Sequence, residues 1–236
     1  MRLTRVYIAD PLPEAGEFTL SDSVTNHLMR VMRLRDAQEF LAFDGTGVEC
    51  LALLHWSAQE RRAWGTVQER RWPQVELPRQ LNLYLAAVKG ERFDWAVEKA
   101  TELGVARIVP MLTDFTVMRS VGRERLERWQ RLAESAAAQS GRVLVPAVAE
   151  PLSFGEAVRC APGRAVIFLP GAVKLKQAEI ASSDVWSLFV GPEGGFSQSE
   201  AALAQECGVQ KAGLGTRILR VETAALAALS LFGAFD

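Results

Sequence analysis

The sequence predicts an α/β protein: a small strand-rich N-terminal domain, residues 1–72, ahead of a larger domain, residues 73–236, built on a mainly parallel sheet. Three observations carry this reading. The stretch 70–80, Arg-Arg-Trp-Pro-Gln-Val-Glu-Leu-Pro-Arg-Gln, holds two prolines, four charges and no hydrophobic period, so it reads as a linker between two regimes. Beyond it, nearly wholly apolar strands alternate with helices, the pattern of a parallel sheet covered on both faces. Near the end of the chain, two successive strands run into glycine-bearing loops, each ahead of a helix N-terminus. Open α/β sheets bind ligands at such places, where loop amides and helix dipoles are free.

In the small domain, Leu3 to Ile8 reads as a first strand, and Ser21 or Asp22 can cap a short helix running through Met32. Glu39 to Phe43, the Asp44-Gly45 turn and Val48 to Trp56 form a hairpin pattern, with Ala63 to Gln68 as a further strand. In the large domain, Leu81 to Val88 is an apolar strand and Phe93 to Leu103 a helix stopped by Gly104. Ile108 to Leu112 is the next strand, and Arg123 to Ser140 a long helix closed by Gly141. Ser153 with Glu156 opens a shorter helix through a capping box, and Ala165 to Leu169 is a strand.

Val185 to Val190 then runs into the turn Gly191-Pro192-Glu193-Gly194-Gly195-Phe196. Ser197 with Glu200 is a second capping box, in which the hydroxyl accepts from a first-turn amide and the carboxylate reaches back to the cap N–H. Val209 to Leu214, the loop Gly215 to Arg220 and the Ala/Leu-rich segment from Thr223 to Phe232 complete the chain.

Composition narrows the function classes. With 236 residues, 49% of them hydrophobic, there is enough chain for real cores. A net charge of −1 provides no global field toward nucleic acid or membrane. The cations are 22 Arg and 5 Lys; arginine suits bidentate phosphate contacts, and the same bias fits a GC-rich or thermophilic source. Cys50, Cys160 and Cys207 are scattered, and with only His27 and His55 beside them they form neither a metal site nor a disulfide framework. Met1 to Arg5 has no apolar core for a signal peptide and no run is long enough for a membrane span. A soluble, cytoplasmic protein is expected.

His27, Arg30 and Arg33 fall at i, i+3 and i+6, with Arg35 just past the helix end, while Leu28, Val31 and Met32 can face the core. This is the densest basic locus of a domain that is otherwise near neutral. It fits either a solvated helix face or a patch that positions RNA phosphates.

The glycine loops match neither a dinucleotide fingerprint nor a phosphate loop, and no G-x-S-x-G elbow or Cys/His pair is present. Both histidines lie outside the large domain, which excludes a Ser-His-Asp device there. Charges inside the loops, Glu193 in the first and Arg217, Arg220 and Glu222 at the second, favour a ligand site over two tight turns.

Phe189-Val-Gly-Pro-Glu-Gly-Gly-Phe-Ser together with Leu214-Gly-Thr-Arg-Ile-Leu-Arg-Val-Glu-Thr-Ala resembles the paired signature of the RsmE family, the 16S ribosomal RNA uridine N3-methyltransferases of the SPOUT class. His27-Leu-Met-Arg-Val-Met-Arg, Phe43-Asp-Gly, Val88-Lys-Gly-Glu-Arg, Glu98-Lys-Ala-Thr-Glu-Leu-Gly and Gln139-Ser-Gly-Arg match in the family's order along the whole chain. Two departures stand out. Thr113-Asp114-Phe115-Thr116 occupies the place of a frequent Thr-Glu-Arg-Ser, and Ala138 that of a frequent Glu.

The resemblance implies an N-terminal PUA-like, RNA-binding β-barrel, a C-terminal α/β domain with a trefoil knot, S-adenosylmethionine bound in the knot, no metal, and a homodimer acting on 16S rRNA in the small ribosomal subunit at the family's target, m3U1498. Carried over residue by residue, the methyl donor touches Leu169, Pro170, Val190, Gly191, Pro192, Glu193, Gly194 and Gly195 on one side. On the other it touches Leu214, Gly215, Arg217, Ile218, Leu219, Arg220 and Thr223. Arg5, His27, Arg30, Arg33 and Arg35 are the RNA contacts.

Methylating N3 of uridine requires stabilising a developing imide anion. Arg220 is the candidate for that, with Glu222 either the proton acceptor or the ion-pair partner of Arg220. A ribose 2′-O-methyltransferase of the same class and a non-catalytic RNA-binding assembly factor are the rivals. The apolar run through Ala225, Leu226, Ala228, Leu229, Leu231, Phe232 and Phe235 spreads around more of its helix than one stripe requires, which suits either pairing of two copies or burial within its own domain.

Overall fold

The computed structural model describes residues 3–59 and 62–233; Met1, Arg2 and Phe235, on which expectations above rest in part, lie outside them. The chain divides into two compact units. One is Met1–Glu76 with Ala137–Val145, the other Leu77–Ala136 with Pro146–Asp236. The segment 137–145, which sequence patterning groups with the large domain, thus belongs to the first unit.

The first unit is a five-stranded sheet in the order β1-β3-β4-β5-β2, with β1 Arg5–Tyr7, β2 Glu17–Thr19, β3 Glu39–Phe43, β4 Glu49–Ser57 and β5 Arg62–Arg71. β1 is parallel to β3 and the other pairs are antiparallel. Alternation along β3 and β4 sends Phe40, Ala42, Cys50, Ala52 and Leu54 into a core shared with Val6, Phe18 and Leu28. β2 has no counterpart in the sequence reading, because three residues with one buried side chain, Phe18, show no period. Gly65 makes room for that ring; a β-carbon there would stand 2.4 Å from it.

The expected helix to Met32 is two structures in series. α1, Asp22–Asn26, starts where the Ser21 side chain accepts from the Val24 amide. A π-helical turn, His27–Val31, follows, with the Met32 amide donating to the His27 carbonyl at 2.9 Å. Each residue of a π turn advances less around the axis than in an α-helix, so the i, i+3, i+6 face does not form. Leu28 remains fully buried, but Val31 and Met32, expected in the core, are 66% and 44% exposed. Arg33 leaves the turn with φ +58°, a left-handed conformation uncommon for a non-glycine residue.

The second unit is an all-parallel sheet. Its strands are β6 Gln80–Ala86, β7 Arg107–Leu112, β8 Ala147–Val148, β9 Leu152–Ser153, β10 Arg164–Phe168, β11 Val185–Val190 and β12 Gln210–Ala212. The order is β12-β10-β11-β6-β7-β8, with β9 also on β7. Helices α2 Glu91–Glu102, α3 Arg123–Ser140, α4 Phe154–Cys160, α5 Gln177–Ile180, α6 Gln198–Glu206 and α7 Val221–Gly233 connect them.

Strand period two sorts the side chains onto two cores. Leu81, Leu83 and Leu85 of β6 pack with Phe93, Trp129, Leu229 and Phe232 from α2, α3 and α7. Tyr84 and Phe189 point to the other face and pack with Phe154, Val158 and Ala204 from α4 and α6. Both faces are therefore dry, as the apolar strands predict. No helix among the described residues is long and apolar enough to cross a membrane.

Candidate active site

The parallel arrangement brings the carboxyl ends of β10, β11 and β12 side by side, and their loops enclose a cavity of about 440 Å³. Of the residues assigned to the methyl donor, Leu169, Pro170, Val190, Gly191, Pro192, Glu193, Gly194, Gly195, Leu214, Gly215, Arg217, Ile218 and Leu219 line it. Arg220 and Thr223 do not. Phe168, Phe196, Val221 and Ala224 also line it and are missed by the sequence reading. Val221 and Ala224 stand at i, i+3 on the first turn of α7, a helical spacing that directly continues the assigned loop and could have found them.

The glycines serve different ends. Gly195 and Gly215 adopt φ of +71° and +120°, and a β-carbon on either would meet nothing within 4 Å. They give the loops a backbone that only glycine adopts without strain and leave open space at their surface. Gly191 answers instead to packing, since a β-carbon there would lie 2.7 Å from the Phe196 ring; at Gly194 it would lie 3.2 Å from Phe115 Cβ.

The first loop is held from three directions. Its helix α6 carries the expected capping box, the Ser197 hydroxyl accepting from the Glu200 amide at 3.2 Å and the Glu200 carboxylate from the Ser197 amide at 2.9 Å. The other oxygen of the buried Glu200 accepts from the Asp114 amide at 3.0 Å, and the Ser197 hydroxyl donates to Asp114 Oδ2 at 2.5 Å. Asp114 is one of the departures from the family pattern, and here it ties the turn after β7 to the cap. On the other side, Glu193 is ion-paired with Arg92 in the first turn of α2.

Arg220 is exposed, and its carbonyl accepts from the Ala224 amide at 2.8 Å as α7 begins. Glu222 corrects one expectation: among the described residues it makes no ion pair with Arg220, and its Oε2 is buried without a hydrogen-bond partner. It stands in the same helical turn as cavity-lining Val221 and Ala224. A buried, unpaired carboxylate oxygen is costly to leave so; Glu222 itself does not line the cavity, whose own acidic side chain is Glu193, and the open backbone at Gly195 and Gly215 leaves room there for a ligand. The residues present therefore fit a cationic methyl donor.

His27, Arg30, Arg33 and Arg35 are all exposed on the first unit. Arg5 is a correction: its side chain is only 7% exposed, and it donates to Glu49 Oε2 at 2.6 Å and to the carbonyls of Ala137 at 3.1 Å and Arg142 at 2.6 Å, with its guanidinium 3.9 Å from the Phe43 ring centre. It fastens the segment 137–145 to the strand edge and presents no donor to RNA. Arg142 of the same segment is equally internal, donating to Glu76 from Nε and Nη2 at 3.0 and 2.7 Å. Among the described residues no cluster of His, Cys, Asp or Glu could hold a metal ion.

Family models place this architecture among the RNA methyltransferases. An RNA methyltransferase domain matches residues 75–233, and an RNA methyltransferase PUA domain matches residues 20–54. The chain is 36% identical over 228 residues to the ribosomal RNA small subunit methyltransferase E of Synechocystis sp., covering 92% of this chain and 72% of that one. It is 30% identical over 244 residues to the protein of the same name from Mycobacterium tuberculosis, covering 97% and 90%.

Among solved structures, ribosomal RNA small subunit methyltransferase E of Neisseria gonorrhoeae bound to S-adenosyl methionine superposes with a TM-score of 0.90 at 33% identity over 100% of both chains. A Legionella pneumophila methyltransferase in complex with SAM gives 0.91 at 28% identity, covering 99% and 98%. The chain belongs to the ribosomal RNA small subunit methyltransferase E family.

Proposed function

We propose that the protein transfers a methyl group from S-adenosylmethionine to N3 of a uridine of 16S rRNA in the small ribosomal subunit, with the family's m3U1498 as target. The observation that carries the reading is the cavity at the ends of β10 and β11, walled by two glycine loops, the second of which runs on in sequence into Arg220 and Glu222. Solved relatives bound to S-adenosyl methionine support the same donor here. Bound there, the donor supplies an electrophilic sulfonium methyl group. Gly195 and Gly215 let backbone amides approach it closely and orient it.

In the transfer the methyl group would pass from the sulfonium to N3, S-adenosylhomocysteine leaving as the neutral thioether, and the loss of the N3 proton places negative charge on the uracil oxygens. The Arg220 guanidinium stabilises that charge, being a cation that does not itself deprotonate. Glu222, unpaired with Arg220, takes the N3 proton. The exposed basic residues His27, Arg30, Arg33 and Arg35 contact RNA phosphates, and the first unit acts as the RNA-binding barrel while the second performs the transfer.

A trefoil knot in the second unit accords with the close crossing at Gly213. Its amide donates to the Val173 carbonyl at 3.0 Å, and a β-carbon there would stand 2.0 Å from the Ala172 carbonyl oxygen. The protein works in the cytoplasm as a homodimer.

The test is incubation with methyl donor and small subunits lacking the modification, read by reverse transcription. A strong stop at a single uridine is expected, since N3 methylation blocks the pairing edge. Methylation without a stop means ribose 2′-O transfer, and donor binding without methylation means an assembly factor. Arg220→Ala and Glu222→Gln should each lower kcat about 100-fold or more while leaving donor affinity within about threefold.

A further inference from the structure

Phe115 sits on the turn after β7, and that turn has little freedom. The Thr113 amide donates to Thr116 Oγ1 at 2.8 Å, the two threonine hydroxyls are 2.7 Å apart, and Asp114 is bonded to Ser197 and Glu200 of α6. Phe115 is nevertheless 51% exposed. It lies against the first glycine loop at Gly194. Cβ, Cγ and Cδ2 lie 3.2, 3.4 and 3.5 Å from where a Gly194 β-carbon would be, and Gly194 lines the cavity. A leucine would keep the contact at Gly194, while about half of Phe115 stays open to solvent. Val117, two residues on, is 68% exposed. The same loop holds a cation at its rim, Arg92 against Glu193.

We propose that Phe115 is a stacking platform for an unpaired base of the RNA substrate, adjacent to the nucleotide that enters the cavity. An aromatic side chain against Gly194, with a cation held on the neighbouring Glu193, suits a base on the ring and a phosphate on the guanidinium, and little entropy is lost when a preorganised ring is covered. Stacking accepts any base, so Phe115 positions the strand while the cavity selects the nucleotide. This rests on the methyl transfer proposed above.

Phe115→Leu keeps the packing against Gly194 and removes the ring, whereas Phe115→Trp enlarges it. With small-subunit RNA as substrate, Phe115→Leu should raise KM for RNA about 5- to 150-fold, the range for removing one base stack, at unchanged affinity for S-adenosylmethionine. Phe115→Trp should keep the wild-type KM or lower it, and the emission of the introduced indole, taken as a difference from wild type, should be quenched by an unpaired RNA fragment. A wild-type RNA KM in Phe115→Leu overturns the proposal, and so does an unquenched indole. Loss of donor affinity parallel to the loss of turnover also overturns it, assigning the ring to support of the glycine loop. If the wild-type protein methylates no RNA, the proposed activity fails instead, and the quenching experiment still decides whether the ring meets a base.

Discussion

The Glu200 carboxylate accepts the Asp114 amide at 3.0 Å while its other oxygen closes the cap of α6 on the Ser197 amide at 2.9 Å. One buried side chain thus fixes both the start of the helix that follows the first glycine loop and the turn that packs against that loop. Glu200→Ala strands two amides and should cost about 1–3 kcal/mol. Scanning calorimetry should show the lower transition, and donor affinity should fall with it because the loop loses its anchor. A variant with wild-type melting and wild-type affinity would remove Glu200 from this role.

Gly195 and Gly215 make a sharper test of the cavity. Gly195→Val imposes a branched side chain at φ +71° in space the ligand would enter. Calorimetric titration should find donor binding abolished while the circular dichroism of the protein is unchanged. Gly191→Val is the contrast, since its β-carbon would collide with the Phe196 ring of the cavity wall; it should lower stability together with donor affinity. Undiminished affinity in a folded Gly195→Val protein would move the donor site elsewhere.

Neutralising Arg30, Arg33 and Arg35 together should weaken RNA binding and reduce the slope of log affinity against log salt by about 2 to 3, roughly one for each phosphate no longer neutralised, with donor affinity unchanged. Arg5→Ala should act differently. It leaves the Glu49 carboxylate and two carbonyls of residues 137–145 without their donor, so it should lower stability by about 3–5 kcal/mol rather than the salt slope. Binding at several salt concentrations, run beside urea unfolding, separates the two.

These arginines also mark where sequence reading succeeds and where it stops. The alternation of apolar strands and helices, the capping boxes at Ser153 and Ser197 and the two glycine loops are local patterns, and each has its counterpart in the structure. The loops converge on one cavity because parallel strands place successive carboxyl ends together, so thirteen of the fifteen residues assigned to the donor line it. Arg5 is internal because of partners more than 130 positions away along the chain, which no local window contains. The π turn at His27 likewise breaks the 3.6-residue period by which a helical face is read. Short strands such as β8 and β9 lack the length to show any period.

The small domain should carry an acid-sensitive contribution to stability at Asp44. Burial pushes this carboxyl up, but the Thr46 hydroxyl at 2.6 Å and the amides of Leu12 and Thr46 at 2.9 and 3.0 Å outweigh it and hold the group below its ordinary value. With the folded pKa depressed, the stabilisation is full above the unfolded value of about 3.9 and is lost as pH falls through the folded value. Asp44→Ala should therefore cost about 2–3 kcal/mol at neutral pH. The difference from wild type should shrink in urea titrations carried below pH 4. A difference that is constant down to pH 2 would refute the linkage.

The outward stripe of α7 bears on assembly. Val221, Ala225, Ala228, Leu229 and Phe232 face the core, which leaves Thr223, Leu226, Ala227 and Ser230 at i, i+3, i+4 and i+7 on the opposite side. That stripe contains no charge, and Leu226 and Ala227 are only partly covered within the chain. Its side chains are mostly small, which allows a second helix to approach closely, and an isologous pair of such stripes would cover the exposed part of Leu226 twice over. We therefore expect a homodimer through the second unit. Sedimentation across a wide dilution range should show a dimer at assay concentrations, and Leu226→Arg should convert it to a monomer with reduced activity. A wild-type monomer that remains fully active under those conditions would sink the proposal.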